Sequence, residues 1–511
     1  MSFALGVDGV VGHDNADTVV MDGGRIVAIG RAGRLGIDAD ERLAGWAAPP
    51  LRDAHIHPSG YAAAVTGLTL DGLAGFAELS VRVREAALLL APGAPLLGAR
   101  LDEEGLRERR LPDRHDLDRI LSKRPVLLTR RCGHVAVANG SALRVAGIGP
   151  YTPDPPGGVI VRDHTGTPTG RLEETAIGLV AGTLAAGLPG PGPDQLLRAI
   201  RGLTGLGIGR IHAVVSEGDP MWCGSGDELA DLLAIAPDLP IDADVLLTAE
   251  TPARLEAAVS RIASQPGRVR WVGWKGFADG SLGGHTAALS APYADRPTTG
   301  ISRLDPLRHG AMIDTTLALG GVVAIHAIGD AAVGAVLDLY QAAPRHAGSF
   351  RIEHASVVSP DLIRRMSDLG VIASVQPAFV ASDAPWIRDR VGPERAAWCY
   401  PLASLHRAGI RVIAGSDSPV EDPNPWRAMA SAVSHTVTPV ESLSGDQAFA
   451  AYLDGGLATG APATFSVVDR EPATTPDLAG TRVLAWFSEG ERHDWEPLPW
   501  PAVSHSRSAN G

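Results

Sequence analysis

Short apolar runs that end in polar or charged residues alternate with amphipathic stretches through the middle of the chain. Such bounded runs are typical of strands buried in a parallel sheet. The pattern predicts strands over 208–214, 241–247, 269–277, 322–326, 350–354, 371–376 and 410–414. Helices are predicted between many of them, and a further strand runs into His57. Eight strands alternating with helices favour a (β/α)8 TIM-like barrel, although the periodicity alone also fits a doubly wound open sheet.

Both ends of the chain show a different pattern, with β-prone runs separated by turn residues. Residues 18–21 and 25–29 flank Asp22-Gly23-Gly24, which predicts a hairpin turn. Residues 464–468 and 482–487 form a similar pair near the other end. We therefore expect residues 1–50 and 456–511 to form one small β-sandwich domain, with the barrel over 51–455.

Between about residues 59 and 200 the alternation is lost. Residues 81–90 and 116–121 have helical patterns, and 125–129 resemble a strand. The sequence therefore predicts a large insertion after the first barrel strand.

The composition of the 511 residues excludes several classes of function. The formal net charge is −13 without a basic run, which argues against nucleic acid and anionic membranes as partners. Neither a secretory signal nor a membrane-spanning window is visible, so a cytoplasmic location is expected. Cys132, Cys223 and Cys399 lie far apart, so neither a disulfide framework nor a thiolate metal site is indicated.

The first candidate metal ligands are His55 and His57, at the end of an apolar run. Residues i and i+2 of a strand point to the same side, so the two imidazoles can approach one metal ion. Alone, such a pair is more often a packing or surface pair.

Three later residues strengthen this interpretation. His326 and His354 each close an apolar strand, and Asp417 follows another. TIM-barrel active sites assemble at the carboxyl ends of the strands, so ligand-type residues at these positions favour the barrel over the open sheet.

Lys275 lies inside the predicted fourth strand. A lysine within an apolar strand is costly unless it has a role. A neutral amine that takes up carbon dioxide becomes an anionic carbamate able to bridge two metals. The alternative is pairing with a neighbour such as Asp279.

Several motifs resemble the amidohydrolase superfamily, and within it the amidohydrolase-3 group related to N-substituted formamide deformylase. They run in family order: Asp53-Ala-His-Ile-His57, Gly133-His134, Asn139-Gly-Ser-Ala-Leu143, Pro155-Pro-Gly-Gly158, Phe277-Ala-Asp-Gly-Ser-Leu-Gly283, Ala324-Ile-His-Ala-Ile-Gly-Asp330, Arg351-Ile-Glu-His-Ala355, Ser374-Val-Gln-Pro377 and Gly415-Ser-Asp-Ser-Pro419. They cover roughly residues 15 to 490. The resemblance is specific for the fold and the metal centre but not for the substrate.

The resemblance implies a complete set of metal ligands: His55, His57, Lys275, His326, His354 and Asp417. His55 and His57 are expected to bind the more buried metal, and a carboxylated Lys275 to bridge to a second. Asp417 is expected to contact the metal and to act as general base toward the attacking water. One or two divalent ions are expected, with zinc first and iron, manganese or cobalt as alternatives.

Further matching residues are candidates for contacting the substrate or orienting the ligands: His134, Glu174, Asp279, His285 and Gln376. His134 and Glu174 come from the insertion. His285 stands where the group usually has arginine. Structural hydrogen bonding is the alternative role for these residues.

The resemblance therefore implies a metal-dependent hydrolase that cleaves a C–N bond in a small amide, formamide or cyclic amide. Hydrolysis of an ester, lactone or phosphoester and deamination of a heterocycle are alternative enzyme reactions. A catalytically silent barrel scaffold is an alternative of another class, disfavoured because every ligand is retained. A homodimer is common among such proteins and is expected here.

Overall fold

The computed structural model describes residues 2–155, 157–185, 191–217, 227–344 and 349–495. Cys223 and the last residues of the predicted terminal domain, 496–511, lie outside the described residues. Cys132 and Cys399 are free thiols.

Eight parallel strands form the centre of the molecule and confirm the predicted barrel. In chain order they are Leu51–Ile56, Ile208–Ser216, Asp242–Thr248, Val269–Phe277, Val322–Ala327, Phe350–His354, Ile372–Val375 and Val412–Ala414. A bridge between Ile56 and Ser418 joins the last strand to the first. The His57 N–H also donates to the Ser418 carbonyl at 2.9 Å, so the ring closes beside the two candidate histidines.

Helices cover the outside of the barrel and bury the apolar faces of the strands. They are Pro58–Thr66, Pro193–Thr204, Glu228–Ala234, Pro252–Ala263, Pro306–Ala318, Asp330–Ala342, Pro360–Leu369, Pro377–Asp383, Ile387–Val391, Pro393–Ala396, Leu402–Arg407, Pro425–Val433 and Gly445–Tyr452. Many begin with proline in the first turn, where its missing N–H has no intrahelical partner to lose. None of the described helices combines the length and the apolarity that a bilayer span requires.

Segments from both ends of the chain share a second hydrophobic core. One sheet contains Phe3–Gly6, Thr18–Asp22, Arg25–Gly30 and Glu41–Arg42, and a short helix, Ala32–Leu35, follows the third of these strands. The other sheet contains Gly9–Val10, Trp46–Ala48, Phe465–Val468, Val483–Ser488 and Glu491–His493. Trp46–Ala48 pairs with Phe465–Val468, so the chain ends meet through backbone hydrogen bonds.

The long segment after the first barrel helix contains a six-stranded sheet. Its strands are Leu68–Thr69, Leu96–Leu101, Val126–Arg130, Val135–Ala138, Gly158–Arg162 and Pro168–Glu174, and its helices are Phe76–Leu88, Arg114–Ile120, Gly140–Val145 and Ala176–Ala185. Two separate apolar clusters stabilise this insertion. The sequence pattern suggested two helices and one strand here, because its strands are short and their alternation is weak.

Candidate active site

The carboxyl ends of the barrel strands bring the predicted metal ligands together. His55 is the penultimate residue of the first strand, and His57 follows that strand directly. His326 and His354 lie at the ends of the fifth and sixth strands. Asp417 follows the eighth strand.

Asp417 lies between two imidazoles at the centre of this group. Its Oδ1 is 3.3 Å from His55 Nε2 and 3.1 Å from His57 Nε2. Ligand atoms of the three residues all lie within 4.8 Å of one another, and all three side chains are buried. The arrangement offers two nitrogens and one oxygen to a single point, which is a donor set suited to a divalent transition metal.

Close packing of the last strand against the first positions Asp417. A Cβ on Gly415 would lie 2.4 Å from the His55 backbone nitrogen, so only glycine permits this approach. The buried Asp53 carboxylate accepts a hydrogen bond from the Ser416 N–H at 2.9 Å, which fixes the position of Ser416, the residue after Gly415. Asp417 then adopts a left-handed φ of 56°, which is uncommon for a residue other than glycine and often marks a functional site.

His354 and His326 extend the group across the barrel. The ring centroid of His354 is 5.0 Å from that of His55 and 4.4 Å from that of His326. His354 Nδ1 donates to Gln376 Oε1 at 2.8 Å, which leaves Nε2 as the free ligand atom. His326 Nε2 lies 3.0 Å from the Gly280 carbonyl and 3.3 Å from Asp279, which leaves Nδ1.

Lys275 is 2% exposed inside the barrel. Its Nζ lies 4.0 Å from the centre of the Phe277 ring, and no carboxylate of the described residues pairs with it. The proposed pairing with Asp279 is absent, because Asp279 instead accepts backbone N–H groups from Ala288, Ile328 and Gly329. Burial lowers the pKa of Lys275 to about 8, which makes the neutral amine accessible.

Burial also favours the neutral form of three histidines of the group. It lowers the pKa of His57 to about 4 and that of His354 to about 3, and it holds the pKa of His326 well below its usual value. Burial opposes ionisation of Asp417 as well, but the surrounding imidazoles hold the pKa of this carboxyl below its usual range. Neutral imidazoles and an ionised carboxylate are the forms that bind a metal.

The residues present fit a bound divalent metal. His55 Nε2 is fully buried and has no hydrogen-bond partner, which is costly for a polar atom unless another ligand occupies the space before it. His55 Nδ1 already donates to Glu353, so Nε2 presents its lone pair toward Asp417 and His57.

Glu353 is a site residue that the sequence analysis did not single out. Its buried carboxylate binds His55 Nδ1 on one side and the Arg351 guanidinium on the other. Arg351 in turn donates to the Ala54 carbonyl at 2.6 Å and to Ser374 Oγ at 3.0 Å. The alternation of Arg351 and Glu353 within an apolar strand was the available signal, since both must point into the barrel.

The other candidate residues have different positions. His134 lines the cleft above the metal-ligand group. Glu174 lies behind His134, and the Glu174 carboxylate is 2.9 Å from His134 Nδ1. Asp279 and Gln376 contact His326 and His354, respectively. His285 binds Asp295 at 3.1 Å and is not among the described residues that line the cleft.

A cleft opens above Asp417 and His326. Apolar residues line part of it: Leu282, Ile328, Phe379, Trp386 and Val420. The insertion contributes Arg130, Arg131, Cys132 and His134, so it forms part of the wall of the cleft.

Comparison with known proteins agrees with this geometry. A Bacillus subtilis protein named as an amidohydrolase, YtcJ, is 34% identical to this chain. The match covers 75% of this chain and 72% of YtcJ. The protein LONG AFTER FAR-RED 3 of Arabidopsis thaliana is 29% identical over 89% of this chain and 84% of its own length. N-substituted formamide deformylase of Arthrobacter pascens is 25% identical over 93% and 94% of the two chains.

Two solved structures, both of uncharacterized metal-dependent hydrolases, share the fold. The one from Pyrococcus furiosus is 28% identical with a TM-score of 0.68, and covers 93% of this chain and 100% of its own. The one from Pyrococcus horikoshii is 26% identical with a TM-score of 0.71, over 97% and 100%. The model of the amidohydrolase family matches residues 36–491. The chain therefore belongs to the amidohydrolase family, as its motifs predicted.

Proposed function

We propose that the protein hydrolyses a C–N bond of a small amide, formamide or cyclic amide. The observation that carries the proposal is the position of Asp417, whose carboxylate contacts His55 and His57 and lines the cleft. A carboxylate there can exchange protons with a molecule in the cleft, while its neighbours supply the nitrogen ligands for a metal.

The residues of the site have different roles in the proposed reaction. A divalent metal, when bound by His55, His57, His326, His354 and Asp417, supplies Lewis acidity that activates water and polarises a carbonyl group. An Asp417 Oδ atom takes the proton of the attacking water and later delivers it to the leaving nitrogen.

The choice of a C–N bond is supported by a relative. A protein named N-substituted formamide deformylase aligns with this chain along 94% of its own length. Barrels of this kind host several reactions, so bond type must be measured directly.

Metal content and bond preference test the proposal together. Protein purified without chelators is expected to contain about two equivalents of divalent metal by plasma mass spectrometry. It should hydrolyse members of a panel of amides, formamides and lactams faster than matched esters and phosphoesters, and chelation should abolish that activity. Turnover restricted to esters or phosphoesters, or protein that binds none of zinc, iron, manganese and cobalt, would contradict the proposal.

Replacing Lys275 with methionine tests whether this residue bridges two ions. As a carbamate, formed when the amine adds carbon dioxide and releases a proton, Lys275 would contribute an oxygen to each metal. Lys275→Met is expected to lower the metal content from about two equivalents to one and kcat by about 100-fold.

The sequence offers a matched control, because Lys123 and Lys275 are its only lysines and Lys123 is exposed. Lys123→Met should leave metal content and rate unchanged. In protein equilibrated with ¹³C-bicarbonate, one carbamate NMR signal is expected, absent only from Lys275→Met. If wild-type protein contained one equivalent of metal and gave no carbamate signal, the result would show that Lys275 is not carboxylated.

A further inference from the structure

A bulge in the sheet of the insertion directs Arg100 toward the barrel. Gly98 pairs with Leu128, and the next pair joins Leu101 to Arg130. One strand therefore advances three residues while its neighbour advances two, and Arg100 lies in the resulting bulge with a left-handed φ of 67°. Bulges commonly redirect a side chain next to a functional site. Here the Arg100 side chain leaves the sheet and reaches the loop after the eighth barrel strand.

In that loop Arg100 binds the turn that begins at Asp417. Its Nη1 donates to the carbonyls of Pro419 and Val420, the second at 2.8 Å. The Val420 N–H donates to the Asp417 carbonyl at 2.8 Å, so both acceptors belong to this turn. Arg100 is 2% exposed, and backbone carbonyls without access to water require a donor. One guanidinium from the insertion therefore holds the backbone that follows Asp417.

Asp71 anchors the same guanidinium within the insertion. Its buried carboxylate accepts from Arg100 Nε, and Thr69 Oγ1 donates to Asp71 Oδ2 at 3.2 Å. The planar guanidinium presents its N–H groups in a fixed fork, so Arg100 can bind Asp71 and the turn at the same time. A lysine ammonium is a point charge without this fork. The pair Asp71 and Arg100 therefore forms a rigid connection between the insertion and the turn.

The connection reaches the site only through the backbone. The residues that the structure describes around the cleft include Arg131, whose Nη1 donates to Glu421 Oε1 at 2.9 Å, but they do not include Arg100. A variant of Arg131 would change the wall of the cleft as well as the loop. A variant of Arg100 changes the support of the loop alone.

Asp417 needs support on both sides because its backbone is strained. Its left-handed φ of 56° persists only where the surroundings hold it. On one side the Asp53 carboxylate accepts the Ser416 N–H at 2.9 Å. On the other side Arg100 binds the carbonyl of Val420. Without Arg100, the turn is held at its first end only.

We propose that Arg100 positions Asp417 for the reaction, an inference that rests on the proposed function. By holding the turn, Arg100 keeps the Asp417 carboxylate 3.3 Å from His55 Nε2 and 3.1 Å from His57 Nε2. Arg100 is a positioning residue, since it acts through the backbone of the turn. The insertion thus contributes to the geometry of the base as well as to the wall of the cleft.

Replacing Arg100 with alanine tests the proposal by kinetics. Arg100→Ala is expected to lower kcat by about 100-fold, because a shift of about 1 Å in a catalytic group has an effect of this size. KM and metal content should stay within about threefold of wild type, since the histidine ligands are untouched. Guanidinium chloride, well below the concentration that unfolds the protein, should restore kcat by at least about tenfold by regaining charge-assisted hydrogen bonds. Sodium chloride should not.

Two variants separate positioning from folding. Arg100→Lys keeps a charge beside Asp71 without the fork, so its kcat should stay at least about tenfold below wild type, and it carries the test if Arg100→Ala does not fold. Arg124→Ala is the matched control, because Arg124 donates to the carbonyls of Ala91 and Ala94 inside the insertion. It should keep the wild-type kcat. An equal loss of kcat in Arg124→Ala, or wild-type kcat in the folded Arg100 variants, would overturn the proposal.

Hydrogen exchange decides the proposal even if the reaction has been assigned wrongly. Inactivity of wild-type protein on every substrate of the panel would count against the proposed function. Peptides covering 415–424 are still expected to exchange at least about tenfold faster in Arg100→Ala, and guanidinium should reverse the change. Peptides from Val322–Ala327 should keep the wild-type rate, because Arg100 does not hold that strand. Unchanged exchange over 415–424 would overturn the role of Arg100.

Discussion

Replacing Asp417 with asparagine is expected to lower kcat by at least about 10³-fold while the fold and the bound metal persist. Asparagine has nearly the same shape and keeps an oxygen near His55 and His57, but it cannot take a proton from water at neutral pH. The Asp417 carboxylate is the group of the metal-ligand cluster that both lines the cleft and is held ionised by its neighbours. Steady-state kinetics on the best substrate of the panel measures the effect.

Three measurements make this result interpretable. Circular dichroism should show an unchanged fold, and plasma mass spectrometry should show metal content close to wild type. Asp389→Asn, the same chemical change at an exposed residue of the helix Ile387–Val391, should leave kcat unchanged. Substantial activity in metal-replete Asp417→Asn would show that another group is the base.

Replacing Glu353 with glutamine is expected to weaken metal binding by about 10- to 100-fold. The Glu353 carboxylate accepts from His55 Nδ1, and this bond directs the Nε2 lone pair toward Asp417. The same substitution leaves the buried Arg351 without its counter-ion, so we also expect the free energy of unfolding to fall by about 3 kcal/mol.

Metal affinity measured against a competing chelator separates the two effects. Denaturant unfolding of the metal-free protein reports the loss of the Arg351 ion pair, and chelator competition reports the orientation of His55. Glu256→Gln, on the exposed face of Pro252–Ala263, is the matched control for both measurements. Reduced stability with wild-type metal affinity would mean that Glu353 only neutralises Arg351.

The sequence predicted the barrel strands well because their signal is local. Val269–Phe277 and Phe350–His354 were predicted to the residue. The eighth strand, expected over 410–414, contains only Val412–Ala414, since Gly409 ends the preceding turn with a φ of 72°. Strand ends depend on where neighbouring backbones pair, which no local pattern records.

The insertion was harder to predict for a related reason. Its sheet pairs strands that lie far apart, such as Leu96–Leu101 with Val126–Arg130. Each strand is short, and the apolar clusters that stabilise them form only when the sheet is assembled. Local periodicity therefore predicted a long insertion, but it did not predict that this insertion forms part of the wall of the cleft.

By itself, the sequence determined the strand periodicity and the ligand-type residues at the strand ends, and with them the family. Backbone alternation and the barrel's shared carboxyl edge are enough to predict that His55, His57, His326, His354 and Asp417 converge. Only the tertiary structure decided which atoms face the centre. The Glu353 bond to His55, the Gln376 bond to His354 and the Glu174 bond to His134 each join residues distant in sequence. These contacts select one nitrogen of each ring, and such selection requires three-dimensional proximity.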